Sequence, residues 1–241
     1  MTSSLFISDL HLSESHPHTT EQFLRFMLDV APQAEALYIL GDLFEYWAGD
    51  DDLDAPFHRQ ICDALSTLSD NATKLYIMHG NRDFLMDEAL AKACKATLLG
   101  DPTLVELYGQ PTLLSHGDVL CTDDAAYQQF RAVVRSSDWK TQFLSQPLNQ
   151  RKVTIEQLRT QSEQSKRSKE MDTMDVTDDA VLELLRRYDF PRLIHGHTHR
   201  PAQHIHHIDG HTCERWVLGD WDTQANALQI DGAGIRYLQF S

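Results

Sequence analysis

Residues 193–201 read LIHGHTHRP, a short aliphatic run that ends in three histidines at alternate positions. In an extended chain, residues two apart point to the same side, so His195, His197 and His199 can face one point. The pattern is typical of a strand that runs into a metal-binding loop, but a solvated histidine-rich loop would read the same way. The rest of the chain has to decide between these two interpretations.

Five further stretches have the same form, an apolar run that ends in Asp, Asn, Gly or His: SLFISD (4–9), ALYILGD (36–42), KLYIMHGN (74–81), TLLSHGD (112–118) and RWVLGDWD (215–222). Such runs are typical of strands buried on both faces. Helical patterns lie between them, from Thr20 as a predicted cap, at 56–68 and at 86–94. This alternation predicts an α/β fold, and the segments around Asp231-Gly232 predict a terminal antiparallel hairpin.

The polar residues at these strand ends form an ordered set: Asp9-Leu10-His11, Gly41-Asp42, Gly80-Asn81-Arg82-Asp83, His116-Gly117-Asp118 and Gly196-His197-Thr198-His199. Ligands collect at the carboxyl ends of the strands in open α/β folds. Seven oxygen and nitrogen donors without a thiolate are too many for one tetrahedral zinc. They suit two adjacent divalent ions, such as Mn²⁺, Fe²⁺ or Zn²⁺, that share a bridging carboxylate. Each piece alone has an ordinary explanation as a turn residue or a buried histidine, so the prediction depends on all five in order.

Composition limits the class of protein. The chain has 241 residues, 41% of them hydrophobic, and a net charge of −15, which suits a globular protein and argues against general nucleic-acid binding. Its four cysteines are widely separated, which is typical of reduced thiols. Neither a signal-peptide pattern nor an apolar run of membrane-spanning length is present. We therefore expect a cytoplasmic protein that is at most peripheral to a membrane and acts as a monomer.

The connection between His116 and Leu193 is 76 residues long and mostly helical, whereas a plain crossover needs a single helix. We predict a helical cap at 123–176, inserted into a core formed by 1–122 and 177–241. Between residues 131 and 169, nine Lys or Arg face only three acids. The segment is either a set of helices with a solvated basic face or a lid for an anionic ligand with an apolar tail, in contact with acidic lipid headgroups.

Taken in order, the motifs D-x-H, G-D, G-N, H and G-H-x-H resemble the calcineurin-like metallophosphoesterase superfamily, which folds as a four-layer β-sandwich flanked by helices. The resemblance implies one metal on Asp9, His11, Asp42 and His199, and a second on Asp42, Asn81, His116 and His197. It also implies a hydroxide between the metals that attacks phosphorus in line while both ions offset the developing charge. His195 precedes the G-H-x-H unit, so we expect it to pack at the strand end or to support a ligand.

The third motif departs from the superfamily pattern G-N-H-[DE], because Arg82 stands where the histidine is expected. Arginine cannot donate a proton near neutral pH, but it binds phosphate bidentately. A phosphate monoester leaves as a stabilised anion, whereas an alkoxide usually needs a proton. Arg82 therefore favours pyrophosphate cleavage. The alternative is an ion pair between Arg82 and Asp83 or another neighbouring acid.

Longer stretches resemble the UDP-2,3-diacylglucosamine diphosphatase family of lipid A biosynthesis: YILGDLFEYWAGDDD (38–52), HGNRDFL (79–85), SHGDVLCTDDAAYQQFR (115–131) and IHGHTHRP (194–201). The resemblance covers essentially the whole chain. It implies hydrolysis of UDP-2,3-diacylglucosamine by water attack on the α-phosphorus, giving UMP and 2,3-diacylglucosamine 1-phosphate (lipid X). The metal would be Mn²⁺, and the protein would lie peripherally on the cytoplasmic face of the inner membrane.

The same resemblance implies residues that act on the substrate. The catalytic set would be Asp42, Asn81, Arg82 and His197, and the last three would also grip the diphosphate. The cap side would contribute Asp124 to the glucosamine, together with Ser162, Lys166 and Lys169. Lys166 stands where the family has Asn, and Ser162 and Lys166 could equally lie on a solvated helix surface. The run Asp50–Asp52 is predicted to be a solvated acidic loop that caps the next helix.

Two other functions remain open at this point. One is a dinuclear phosphoesterase that acts on soluble nucleotides, such as a dinucleoside polyphosphate hydrolase. It explains the motifs but not the apolar and basic insertion. The other is an interaction scaffold of the same fold, which typically loses ligands, whereas all seven positions here carry competent donors.

Overall fold

The structure is a computed structural model that describes residues 2–168, 175–222 and 224–240, without the side chains of 161–168. The elements of this part of the chain are, in order, β1 Ser3–Ile7, α1 Pro17–Asp29, β2 Ala36–Leu40, α2 Pro56–Asp70, β3 Lys74–Met78, α3 Glu88–Cys94, β4 Thr97–Leu99, β5 Thr103–Leu107, β6 Gln110–Ser115, α4 Ala125–Val134, α5 Ser137–Leu144, α6 Leu148–Ser168, α7 Asp178–Arg187, β7 Arg192–His195, β8 Ala202–Ile208, β9 His211–Val217, β10 Ala225–Asp231 and β11 Gly234–Phe240.

The strands form two mixed sheets. The first has the order β11-β10-β1-β2-β3-β4 and the second the order β5-β6-β7-β9-β8. Strands β1 to β4 run parallel, as do β6, β7 and β9, while β10 and β11 form the antiparallel hairpin that the sequence predicted. Because the central strands of each sheet are parallel, their carboxyl ends meet along one edge of that sheet, where the predicted site residues lie.

Alternating side chains on the strands pack the two sheets and the helices into four layers. In β1, Leu5 and Ile7 face α1, α2 and α3, whereas Phe6 faces the second sheet. On the far side, Leu113 and Leu193 pack against α7. Since the period of a strand is two, one continuous apolar run serves two layers. The predicted four-layer sandwich is therefore confirmed.

The start of the first helix differs from the prediction. Thr20 was expected to cap it, but α1 begins three residues earlier at Pro17, with His16 in the cap position. Proline suits the first turn because its missing N–H has no helical partner there and its φ is already helical. Thr20 lies inside the helix, and its hydroxyl donates back to the His16 carbonyl.

Helices α4, α5 and α6, called the cap below, lie between the β6 loop and α7. Several of their basic side chains are paired with the core. Arg131 Nε lies 2.8 Å from Asp118 Oδ2, and Lys152 Nζ lies 2.6 Å from Asp52 Oδ1. Arg151 is buried and donates to the Ala48 carbonyl. Much of the positive charge of this segment thus complements acids and carbonyls of the core. Within the described residues, no helix has both the length and the apolar character needed to cross a membrane.

The run Asp50–Asp52 differs from its prediction as a solvated loop that caps the following helix. Asp50 accepts hydrogen bonds from the backbone N–H groups of Asp87 and Leu90, and so caps α3 instead of α2. Asp52 is buried and pairs with Lys152 of the cap. Sequence spacing could not show this, because the acceptor and the capped helix are brought together only by the tertiary fold.

Candidate active site

The predicted ligands occupy sharp bends at the strand ends. Five of them have left-handed backbone conformations: Asp9 (φ 56°), His11 (φ 50°), Asp42 (φ 52°), His197 (φ 70°) and His199 (φ 56°). This region is sparsely populated for residues with a Cβ, and such strain concentrates at functional sites. The bends turn side chains from several strands toward one place.

One group of ligands surrounds Asp9, which follows β1. Its Oδ1 atom lies 3.3 Å from His199 Nε2. The potential ligand atoms of Asp9, His11 and His199 all lie within 4.8 Å of one another. Asp42 adjoins this group, since its Oδ2 atom is 3.7 Å from His11 Nε2.

A second group surrounds Asn81, which follows β3. Its Oδ1 atom lies 3.0 Å from His116 Nε2 and 2.9 Å from His197 Nδ1. His116 Nε2 is also 3.9 Å from Asp42 Oδ2, so Asp42 lies between the two groups. The structure thus brings all seven predicted ligands together.

Glycines make room for this cluster. A Cβ atom on Gly80 would collide with the carboxylate of Asp42, and one on Gly196 would collide with Ser8 and with the carboxylate of Asp9. The short G-N and G-H pairs of the sequence therefore reflect close approach of backbone to acidic ligands.

Burial makes the electrostatics of the cluster strong. Asp9 and His116 are 1% and 0% exposed. Burial alone would lower the pKa of His116, but Asp42, Asp9 and Asp118 raise it to about 9. The pKa of His199 is raised to about 10 against the effect of burial, chiefly by the neighbouring carboxylates of Asp220 and Asp9. The carboxylates thus stabilise positive charge on the groups next to them.

The donor set fits a divalent metal. Among the described residues, Asp9 Oδ1 is a buried carboxylate oxygen without a hydrogen-bond donor. A metal ion would bind such an oxygen and supply the positive charge that protonated histidines otherwise provide. Burial and the neighbouring His116 lower the pKa of His197 to about 4, which keeps that imidazole neutral and able to bind a metal. Carboxylate, amide and imidazole donors suit ions of borderline hardness.

Glu45, which lies outside the predicted ligand motifs, contacts one predicted ligand and two arginines. Its Oε2 atom lies 3.1 Å from His11 Nδ1, while Oε1 lies 3.3 Å from an Arg82 nitrogen and 2.8 Å from an Arg159 nitrogen. Burial would raise the pKa of Glu45, but His11, Arg82 and Arg159 lower it to about 2. Arg159 belongs to the cap, so this carboxylate connects the ligand cluster to the cap.

Asp220 also lies outside the ordered motifs, and for that reason it was not predicted. Its Oδ2 atom is 2.8 Å from His199 Nδ1. A carboxylate on the far nitrogen of a ligating histidine fixes the ring orientation and raises its basicity. The stretch RWVLGDWD did end in Asp residues after a predicted strand, which was the available signal.

Arg82 is held by Glu45 and not by Asp83. The backbone N–H of Arg82 donates to Asp42 Oδ1 over 2.8 Å, which places Arg82 beside the ligand cluster. Asp83 is buried and accepts the backbone N–H groups of Gly80 and Leu43, both over 2.8 Å. The ion pair of Arg82 with a neighbouring acid, which the sequence offers as the alternative to phosphate binding, is thus present in the structure.

The other predicted residues are placed as follows. Asp124 is the N-cap of α4 and accepts the N–H of Tyr127, whose ring stacks 6.1 Å from that of His197. His195 is the last residue of β7, is buried, and donates from Nδ1 to the Gly196 carbonyl, as expected of a residue packed at the strand end. The side chains of Ser162 and Lys166 lie outside the described part of the chain, and so does Lys169 as a whole.

Comparison with known proteins defines the class. The model of the family "Calcineurin-like phosphoesterase" matches residues 3–201, and the chain therefore belongs to the calcineurin-like phosphoesterase family. It is 53% identical to the UDP-2,3-diacylglucosamine hydrolase of Aromatoleum aromaticum, over 96% of this chain and 94% of that one. It is 49% identical to the protein of the same name from Pseudomonas paraeruginosa, over 99% of both chains. The similarity thus extends along the whole chain.

Proposed function

We propose that the protein hydrolyses the pyrophosphate bond of UDP-2,3-diacylglucosamine and releases UMP and 2,3-diacylglucosamine 1-phosphate in lipid A biosynthesis. The observation that carries this proposal is the full-length similarity to hydrolases of that substrate, at 49–53% identity. The clustered carboxylate, amide and imidazole donors provide the chemistry that such a reaction needs.

Two Mn²⁺ ions are the proposed cofactors. The first would be held by Asp9, His11, Asp42 and His199, and the second by Asp42, Asn81, His116 and His197. When bound, such ions lower the pKa of water and offset charge on phosphoryl oxygens. Asp42 supports a bridging role because its carboxylate lies between the two groups of donors.

The side chains around the cluster would orient the diphosphate. Asn81, Arg82 and His197 lie beside Asp42 and are the proposed grip on the phosphates. The Arg82 guanidinium presents parallel N–H donors that match phosphate oxygens. It supplies no proton, and the departing phosphate monoester needs none, because it leaves as an anion.

The cap is the proposed site for the sugar and the acyl chains, and we propose that the inserted segment spans 123–176. Asp124, Ser162, Lys166 and Lys169 are the proposed contacts of the glucosamine part. Apolar side chains remain exposed on all three helices, at Phe130, Val133, Leu144 and Val153. Exposed apolar groups suit a lipid substrate and a peripheral position on the cytoplasmic face of the inner membrane.

Turnover of UDP-2,3-diacylglucosamine tests the substrate directly. We expect Mn²⁺-dependent release of UMP, and in ¹⁸O-labelled water the label should appear in UMP, as seen by phosphorus NMR. A diadenosine polyphosphate is the matched competitor. Faster turnover of that soluble nucleotide would contradict the proposal, and no turnover of either, with metal bound, would favour the scaffold function.

The membrane position has its own test. The native protein should float with phosphatidylglycerol-containing vesicles at low salt and be released at high salt, since lipid attraction through basic groups is screened. Vesicles of phosphatidylcholine alone are the control. Equal flotation with both, or none with either, would contradict a basic membrane-facing surface.

A further inference from the structure

A cavity of about 340 Å³ lies next to the ligand cluster. Its lining includes His199, Asp220, Asn226, Tyr237 and Gln239. His199 belongs to both the cavity and the ligand cluster, so the cavity borders the proposed metal centre. Its volume falls within the range of small-molecule sites.

The order of the strands sets this arrangement. Most of the described polar contacts between cap and core go to the loops that follow β2, β3 and β6, and Tyr127 of the cap reaches as far as His197 after β7. Asp9 follows β1, and His199 follows β7, which are the next strands in each sheet. The cavity is lined by residues of β10 and β11 and by the loops after β7 and β9. In the strand order, β10 and β11 lie beyond β1 in the first sheet, and β9 lies beyond β7 in the second. The ligand cluster therefore lies between the cap and the cavity.

A diphosphate ester has two ends, and this geometry offers one place for each. If the acylated sugar lies under the cap, the other end of a diphosphate held at the cluster points toward the cavity. The cavity walls are polar and aromatic, which disfavours an acyl chain. A nucleoside, which combines a flat ring with a hydrogen-bonding edge, suits such walls.

The side chains of the cavity match one base edge in particular. The Asn226 amide nitrogen donates to the carbonyls of Asp220 and Gln224, over 2.6 and 3.1 Å. Its orientation is therefore fixed, and the amide oxygen is its acceptor for a ligand. Uracil has an N–H donor between two carbonyl acceptors, whereas cytosine has a bare nitrogen acceptor at that position. An oriented amide oxygen thus favours uracil over cytosine.

Neighbouring residues keep this site open and shaped. A Cβ on Gly219 would come within 3.1 Å of the Asn226 amide and 3.3 Å of Pro201. The Tyr237 hydroxyl donates to the Val217 carbonyl over 2.8 Å, which fixes the phenol ring in the wall. Gln239 is exposed at the rim on β11. Its carboxamide can donate to a base carbonyl.

We infer that this cavity binds the uridine part of the substrate and of the product UMP. The inference rests on the proposed function, since it assigns a place to the nucleoside of that substrate. Asn226 and Gln239 read the imide edge of uracil, and Tyr237 provides the aromatic wall.

Calorimetric titration of the Mn²⁺-loaded protein with UMP, CMP and methyl phosphate tests the site. We expect UMP to bind at least about tenfold more tightly than methyl phosphate. CMP should bind about threefold to tenfold more weakly than UMP, which is the size of one hydrogen bond. Gln239→Trp, which fills the cavity from its rim, should remove most of the advantage of UMP over methyl phosphate.

Gln203→Trp is the matched control, because Gln203 is also an exposed glutamine, on the edge strand β8. It should keep the full UMP advantage. Gln239→Ala, a milder change, should reduce the preference for UMP over CMP even if the tryptophan variant folds poorly. Equal binding of UMP and methyl phosphate by the native protein, or an unchanged UMP advantage in both Gln239 variants, overturns the inference.

The turnover assay separates this result from the proposed function. If the protein hydrolyses UDP-2,3-diacylglucosamine but its affinity for UMP is unchanged in the Gln239 variants, the cavity assignment is overturned and the proposed function stands. UMP binding that depends on Gln239, without hydrolysis of that substrate, supports the nucleoside site and overturns the substrate.

Discussion

The two sides of the ligand cluster are built in different ways. On the core side, Asp9 and His116 follow central strands and are 1% and 0% exposed. On the cap side, helices attach through ion pairs such as Lys152 to Asp52, while Val133 and Val153 are 57% and 56% exposed. Strand ends hold atoms to the precision that metal binding requires, whereas ion-paired helices can adapt to a long and variable substrate. The same fold thus separates the proposed metal and phosphate site from the proposed contacts with the sugar and the acyl chains.

On the core side, removal of a single predicted ligand should nearly abolish activity. Asp42→Ala removes the carboxylate between the two groups of donors, so we expect kcat to fall on the order of a thousandfold or more, as for the loss of a main electrostatic stabiliser. Metal analysis should show less Mn²⁺ per chain than in the native protein. Full activity and full metal content in this variant would show that Asp42 is not a bridging ligand.

Asp54→Ala is the matched control for that change. Asp54 lies in the same loop after β2, but its side chain is 92% exposed and pairs only with the exposed Arg59 among the described residues. We expect its metal content and kcat to equal those of the native protein. A comparable loss in both variants would point to the loop as a whole instead of the ligand.

The difference between the two sides also explains what the sequence could predict. Each predicted ligand lies within a few residues of the end of an apolar run, so local pattern singled out all seven side chains, and strand order brings them together in the structure. The contacts of Glu45 could not be predicted from the sequence, because residue spacing does not show which arginine of a long insertion pairs with which acid. Asp50 was misassigned for the same reason, since it caps a helix that is distant in sequence.

Glu45 stands between the two sides and should show an intermediate effect. Glu45→Gln keeps the shape and an acceptor for His11 but removes the charge that faces His11, Arg82 and Arg159. Loss of such a supporting carboxylate typically weakens metal binding by about 10–100-fold. We expect weaker Mn²⁺ binding by calorimetry and a higher KM, with the fold retained.

Asp52→Asn separates positioning from simple attachment of the cap. Asp52 also pairs with a basic residue of α6, but it contacts Lys152 and His58, neither of which is a predicted ligand. This variant should lose stability while its Mn²⁺ affinity stays native. If both variants changed Mn²⁺ affinity equally, Glu45 would act only by holding the cap in place.

The smallest expected effect concerns His58, which supports the attachment of the cap. His58 is buried, and its Nδ1 atom lies 3.0 Å from the Asp52 carbonyl. Burial lowers the pKa of His58 below its ordinary value, and Lys152 adds to this against the opposing influence of Asp52. The imidazole therefore stays neutral in the fold at a pH where it is protonated in the unfolded chain.

The sign of the pH dependence follows from that difference. Below about pH 6.5 the unfolded chain takes up a proton that folded His58 resists, so the free energy of unfolding should decrease as the pH falls, by at most about 1.4 kcal/mol per pH unit. His58→Gln keeps an N–H donor for the Asp52 carbonyl and removes the titration. Urea unfolding at pH 8, 6.5 and 5.5 should therefore give a flatter pH dependence for His58→Gln than for the native protein, with His18→Gln, which removes an exposed imidazole, as control. Parallel curves for the native and His58→Gln proteins would show that acid destabilises the protein through other groups. The pH dependence of the cap attachment would then not come from His58.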